Sequence, residues 1–241
     1  MMSAPRMLRG VAIHERVWER AAPPPQPMRP ARPVATYTLL GVMAGVYVLE
    51  LLLVSLGRTV AYRGDRFDLA YWTFIINTDW AWRPWTLVTS TLAHDPSNFT
   101  HILFNGLFLF FFGPLVERIV GVRRYLILFF VAGAVSGVAQ VHLAAALGPG
   151  GGALGASGAL MALFGLVMVL LPKEKILIYG IVPVPMWAAG IGYALLDVLG
   201  VLNPYSRVGN FAHLSGMALG LAYGVQVKRD MKRRGLRLVR G

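Results

Sequence analysis

The sequence predicts an all-α, polytopic membrane protein, a bundle of six transmembrane helices. Three observations carry that prediction. Hydrophobic residues fill 56% of the 241 positions and charged residues only 14%, where a soluble domain carries roughly a quarter. Mean hydropathy is +0.58, and six apolar stretches come close to the about 20 residues that cross a hydrocarbon core. The basic residues, finally, fall unevenly between those stretches.

The elements follow in order. Residues 1–33 form a basic, proline-rich tail. A short amphipathic helix is expected near Met7–Glu19, where Leu8, Val11 and Trp18 share a face, and Pro23-Pro24-Pro25-Gln26-Pro27 ends it. The membrane domain covers residues 34–227. Its first span lies near Val34–Leu56, followed by a loop of about residues 57–97 rich in aromatics such as Tyr62, Phe67, Trp72, Trp80, Trp82 and Trp85. Rings of this kind favour the headgroup level. Span two, His101–Val120, is expected to be capped from the Asn98-Phe99-Thr100 sequence. Span three is Tyr125–Leu147. A loop containing Gly148-Pro149-Gly150-Gly151-Gly152 leads into span four, Ala153–Leu171. Spans five and six are Ile176–Gly200 and Val208–Val227, and a basic tail, residues 228–241, closes the chain.

The net charge of +12 points to topology rather than to nucleic acid. Eighteen of the 23 Lys and Arg residues fall in the two tails and in the connections between spans two and three and spans four and five. Arg58, Arg63, Arg66, Arg83 and Arg207 fall on the other side. By the positive-inside rule both termini are cytoplasmic. With no cysteine, disulfides, thiol nucleophiles and cysteine–zinc sites are excluded.

That orientation turns sequence position into depth. Spans two, four and six all begin on the outer side, and each carries polar residues near its start: His101 and Asn105, Ser157, and His213. Ser157 is expected about 5 residues into its span, on the order of 6–8 Å along the axis, and His213 at a similar depth. His101 and Asn105, four apart, share one helix face. A lone serine in such a helix usually bonds back to a carbonyl, and a lone histidine or asparagine is often interhelical glue. Four such groups at one depth point instead to a site. Gly216 and Gly220 form a small-xxx-small face that lets span six approach span four closely. The backbone N–H groups at the start of span four suit a developing oxyanion.

These residues resemble the rhomboid family of intramembrane serine proteases. Gly155-Ala156-Ser157-Gly158 matches the family's GxSG. Ala212-His213, with Gly216 and Gly220, matches its AHxxGxxxG, and His101 with Asn105 its HxxxN. Glu117-Arg118 resembles an acidic–basic pair at the inner end of the second helix. The resemblance implies a six-helix rhomboid-like bundle with Ser157 as nucleophile and His213 as general base, a dyad lacking a catalytic acid. Glu50 and Asp197 are the remaining acidic residues in the spans, and both are expected to lie away from the cluster. Asn210 is expected to help fix the imidazole. Asn105, His101 and the backbone around Gly155, Ala156 and Ser157 would hold the oxyanion. Met161 stands where many relatives have an aromatic packed on the histidine. Trp82-Arg83 and Trp85-Thr86 both resemble a Trp-Arg pair of the first loop, the alignment favouring Trp85. The implied activity is cleavage of transmembrane segments of single-pass proteins near their extracytoplasmic end, without cofactor, metal or nucleic acid. The implied location is a cell membrane of bacterial inner-membrane type, with the lipid bilayer as partner. Three rivals remain: a non-catalytic rhomboid-like protein that binds or retains clients, a transporter or channel, and a metalloprotease using His94, His101 and His213.

Overall fold

A helix that is apolar all round has no face for water and takes the centre of an assembly. Ser157–Leu170 is such a segment. As α6 it stands at the middle of the computed structural model, with every residue from Gly158 to Val167 buried. The structure describes residues 32–234 apart from 63, 149–150, 179–180, 204–205 and 207. The helix expected near Met7–Glu19 therefore lies outside the described residues.

Around α6 stand α4 (Phe99–Val120), α5 (Val122–Leu147), α7 (Met186–Val201) and α8 (Asn210–Arg233), and α1 (Val34–Ser55) packs against α4. Each overlaps one expected span. Three of them, α1, α4 and α5, are long and apolar enough to cross a membrane. At 14 and 16 residues, α6 and α7 reach only about 21 and 24 Å. The last turns of α8 are basic. Length and composition thus support three spans outright, not six. Phe104, Phe111, Leu147 and Leu196 on the surrounding helices are exposed, and only 17% of the apolar window of α1 is buried. Such a surface suits hydrocarbon rather than water. This is a membrane protein.

Two segments differ from expectation. Within the segment expected as the first part of span five, β3 (Lys175–Ile178) and β4 (Val182–Pro185) pair antiparallel, with Ile176 opposite Val184. Pro183 and Pro185 explain it, since neither can donate a helical hydrogen bond and each biases the preceding residue towards extended backbone. The chain before Ser157 is likewise not helical. Ala153 is bridged to Ile76 instead.

The first loop is built rather than loose. It contains a hairpin of β1 (Thr59–Tyr62) and β2 (Asp65–Asp68), the short helices α2 (Leu69–Phe74) and α3 (Thr86–Leu92), and a 3₁₀ turn at Trp80–Trp82. Asp68 caps α2 by accepting from the N–H groups of Ala70 and Tyr71. Trp72 lies at the middle of the aromatics, 4.5 Å from Tyr62, 5.7 Å from Phe67 and 6.4 Å from Trp85 between ring centroids. Of the two candidates, Trp82-Arg83 supplies a buried cation. Arg83 sits under the Trp72 ring and donates from Nη1 to the Trp72 carbonyl at 3.0 Å.

At the opposite end of α4, Glu117 accepts from the N–H groups of Ala35 and Thr36 at 3.0 and 2.8 Å and from the Thr36 hydroxyl at 2.7 Å. Those N–H groups open α1 and have no partner within it. One carboxylate therefore fixes α1 against α4.

Candidate active site

The contact between α6 and α8 is set by the absence of side chains. A Cβ added to Gly216 would run into the carbonyl of Gly158, and one added to Gly220 into that of Ala162. A Cβ on Gly158 would lie 3.4 Å from the carbonyl oxygen of Ala212. The residue after Ser157 thus meets the residue before His213, and the first turns of the two helices touch. This is the close approach that the small-xxx-small pattern predicts.

Ser157 is the first residue of α6, with Ala156 at its N-cap, so the serine stands at the helix terminus rather than 5 residues within it. The backbone leading to it is pinned. Gly155 donates to the Ser90 carbonyl at 2.8 Å, and Ala153 and Ile76 exchange hydrogen bonds of 2.8 and 3.1 Å. Gly155 has φ +120°, a conformation that side-chain-bearing residues rarely adopt. A Cβ there would also meet His101 Nε2 at 2.7 Å. Glycine is required at this position twice over.

His101 therefore packs its ring directly on the backbone before the serine. Its Nδ1 accepts from the Asp95 N–H at 3.4 Å, which leaves Nε2 as the protonated nitrogen, turned towards Gly155. Asn105 is buried and donates one amide hydrogen to the His101 carbonyl at 2.9 Å, with its second N–H still available. Ala156 and Met161 are both buried in the core around α6.

His213 occupies the first turn of α8, which is braced from α5 by Gln140, whose Oε1 accepts from the Ala212 N–H at 3.1 Å. The imidazole Nδ1 lies 2.9 Å from Asp197 Oδ1 on α7. An ionised carboxylate only accepts, so Nδ1 carries the proton and Nε2 is left as the basic nitrogen. Among the described residues Ser157 Oγ makes no hydrogen bond. The hydroxyl and the imidazole stand on touching turns without being bonded.

Two expectations need correcting. Asp197 does not lie away from the cluster; it contacts the histidine, so the site has an acidic member. Asp197 is four residues from the end of α7 and His213 three from the start of α8, which puts them at one depth. Glu50 does lie outside the cluster, accepting from the His94 N–H at 2.9 Å, and it is the His94 ring that stacks edge-on against His101 at 5.0 Å. Asn210, the expected helper, instead donates to Ser206 Oγ at 2.8 Å and lies against Gly200. It ties α7 to α8 and leaves the imidazole to Asp197. Gln140 is a member that the sequence reading misses, although Ser136 and Gln140, four apart in an apolar helix, form a legible polar stripe. No group of three or more metal-binding side chains occurs among the described residues.

Known proteins of one family resemble this chain. The Rhomboid domain family matches residues 81–230. The chain is 34% identical over 147 residues to the rhomboid protease GlpG of Haemophilus influenzae, covering 58% of this chain and 68% of that protein. It is 31% identical over 170 residues to YdcA of Bacillus subtilis, covering 66% and 73%. It is 29% identical over 199 residues to the mitochondrial RHOMBOID-like protein 12 of Arabidopsis thaliana, covering 76% of this chain and 58% of that longer protein. With the family match extending over more than half of its length, the chain belongs to the rhomboid family.

Proposed function

We propose that this protein is an intramembrane serine endopeptidase that cleaves transmembrane segments of single-pass membrane proteins near their extracytoplasmic end. In this reading all six helices α1, α4, α5, α6, α7 and α8 traverse the bilayer, with both termini cytoplasmic, in a bacterial inner membrane. Ser157 is the nucleophile and His213 the general base. The observation that supports it best is the contact between the first turns of α6 and α8, with His101 packed on Gly155 beside them.

The steps follow from the groups present. His213 Nε2 takes the proton of Ser157 Oγ as the oxygen bonds to the scissile carbonyl carbon. The oxyanion so formed is met by His101 Nε2–H, the free N–H of Asn105 and the backbone N–H groups at the start of α6. When the C–N bond breaks, His213 returns the proton to the leaving amine, and water then releases the acyl group by the reverse use of the same base. A helical substrate hides its carbonyls in its own hydrogen bonds, so it must unwind locally first. The missing Ser157–His213 bond suits a site that tightens when substrate arrives, as catalytic hydrogen bonds are often long in the free enzyme. The same observation favours the alternative, a non-catalytic rhomboid-like protein that holds membrane clients.

Reconstitution with a single-pass substrate separates the two. The proposal expects one cut near the outer end of the substrate helix, located by mass spectrometry and abolished by Ser157→Ala with folding intact. Binding of substrate without any cut in the unmodified protein supports the alternative.

A further inference from the structure

We infer that Asp197 is a positioning residue for His213, holding the imidazole in the tautomer whose Nε2 can accept the serine proton. The inference rests on the proposed roles of Ser157 and His213. It stands on geometry. Asp197 is buried on α7, its Oδ1 lies 2.9 Å from His213 Nδ1, and its Oδ2 has no hydrogen-bond partner among the described residues.

The other two buried carboxylates among the described residues show what a structural role looks like here. Glu117 takes two backbone N–H groups and a hydroxyl, and ties α1 to α4. Glu50 takes the His94 backbone N–H and fixes the loop before α4. Asp197 holds no backbone group, and its one bond goes to a titratable ring. The joint it spans is already held by other means, through Asn210 against Gly200 and its bond to Ser206. A half-unpartnered carboxylate at membrane depth is expensive to keep for packing alone. Its bond to Nδ1 fixes the ring plane and the tautomer, and it faces the positive charge that appears on the imidazole when Nε2 takes the proton. His101 lies within electrostatic reach of His213, but its bond from the Asp95 N–H leaves its Nε2 a donor, so it does not replace Asp197 as the acceptor for Nδ1–H.

The test uses the full-length protein in bilayer nanodiscs, labelled with ¹⁵N-histidine, His213→Ala assigning the signal. In the unmodified protein the His213 resonances are expected to show a protonated Nδ1 and an unprotonated Nε2. In Asp197→Asn the amide can donate to Nδ1, so the Nε2–H tautomer is expected to gain, with kcat falling by about 100-fold or more and KM changing less than about 2-fold. Asp197→Ala frees the ring, with kcat expected to fall about 10–100-fold. If Asp197→Ala does not fold, the nearly isosteric Asn variant and the tautomer of the unmodified protein still decide. An Nε2–H tautomer in the unmodified protein, or unchanged kcat in Asp197→Asn, overturns the inference. Cleavage that survives Ser157→Ala or His213→Ala defeats the proposed function instead, and leaves the tautomer measurement as an independent test of Asp197.

Discussion

His94 lies in the loop before α4 with its ring buried and its Nε2 without a hydrogen-bond partner among the described residues. Burial first, and then the nearby charge of His101, lower its pKa from 6.5 to about 4, against the opposing pull of the Leu92 carbonyl. The folded protein therefore keeps His94 neutral where the unfolded chain would protonate it. Its contribution to stability is complete above about pH 6.5 and is lost progressively as pH falls towards 4, because the unfolded state binds the extra proton. At 1.36 kcal/mol per pKa unit the loss approaches ~3 kcal/mol. His94→Gln is expected to flatten the decline of the thermal unfolding midpoint between pH 7 and 4.5, and an unaltered decline would count against this assignment. At the same scale the sequence is only partly legible. Ser157, His213, His101 and Asn105 are readable because polar groups are costly at membrane depth. The same argument applies to Asp197, near the outer end of its span, but position along the chain does not show its partner, and only the crossing of α7 with α8 brings it to the ring. Asn210 misleads because one turn of separation from His213 does not decide which way an amide turns.

The touching backbones of α6 and α8 are the element on which the site depends. Gly216→Ala puts a methyl group against the carbonyl of Gly158, so the first turn of α8 must move away from the turn bearing Ser157. Overpacking of this kind costs roughly 1–3 kcal/mol, and a small shift of reacting groups costs far more in rate. Gly216→Ala is expected to lower the unfolding midpoint and to reduce kcat by about 10-fold or more. Gly45→Ala, on α1 with no atom within 4 Å of the new methyl group, is expected to change neither; equal effects from both would show that the α6–α8 contact is not special. This contact is legible as Gly216 and Gly220 four apart. The start of α6 is not. Ala153 to Ala156 have the apolar composition of a span, yet the backbone of Ala153 and Gly155 is taken by Ile76 and Ser90 of the first loop, a long-range pairing that no local pattern announces. The pairing of β3 with β4 is more accessible, since Val182-Pro183-Val184-Pro185 is a poor helix by proline chemistry alone.

Across the whole molecule the apolar runs mark every large helix, because hydrocarbon demands helices whose backbone groups are satisfied internally. They overstate how many are individually long enough to cross. The central α6 meets protein on all sides, so it escapes the length that lipid contact imposes. The same placement puts Ser157 at a helix terminus, flanked by His101 from α4 and by α8, with the first loop pinned over the preceding residues. The proposed chemistry rests on that serine being activated by His213. Reaction of the full-length protein with a fluorophosphonate, read as a mass increase on the Ser157 peptide, tests this most directly. The expected result is modification at Ser157 that disappears in Ser157→Ala and falls at least about 100-fold in rate in His213→Ala. Absence of modification under conditions where the protein is folded, or modification at Ser157 that proceeds equally without His213, would contradict it.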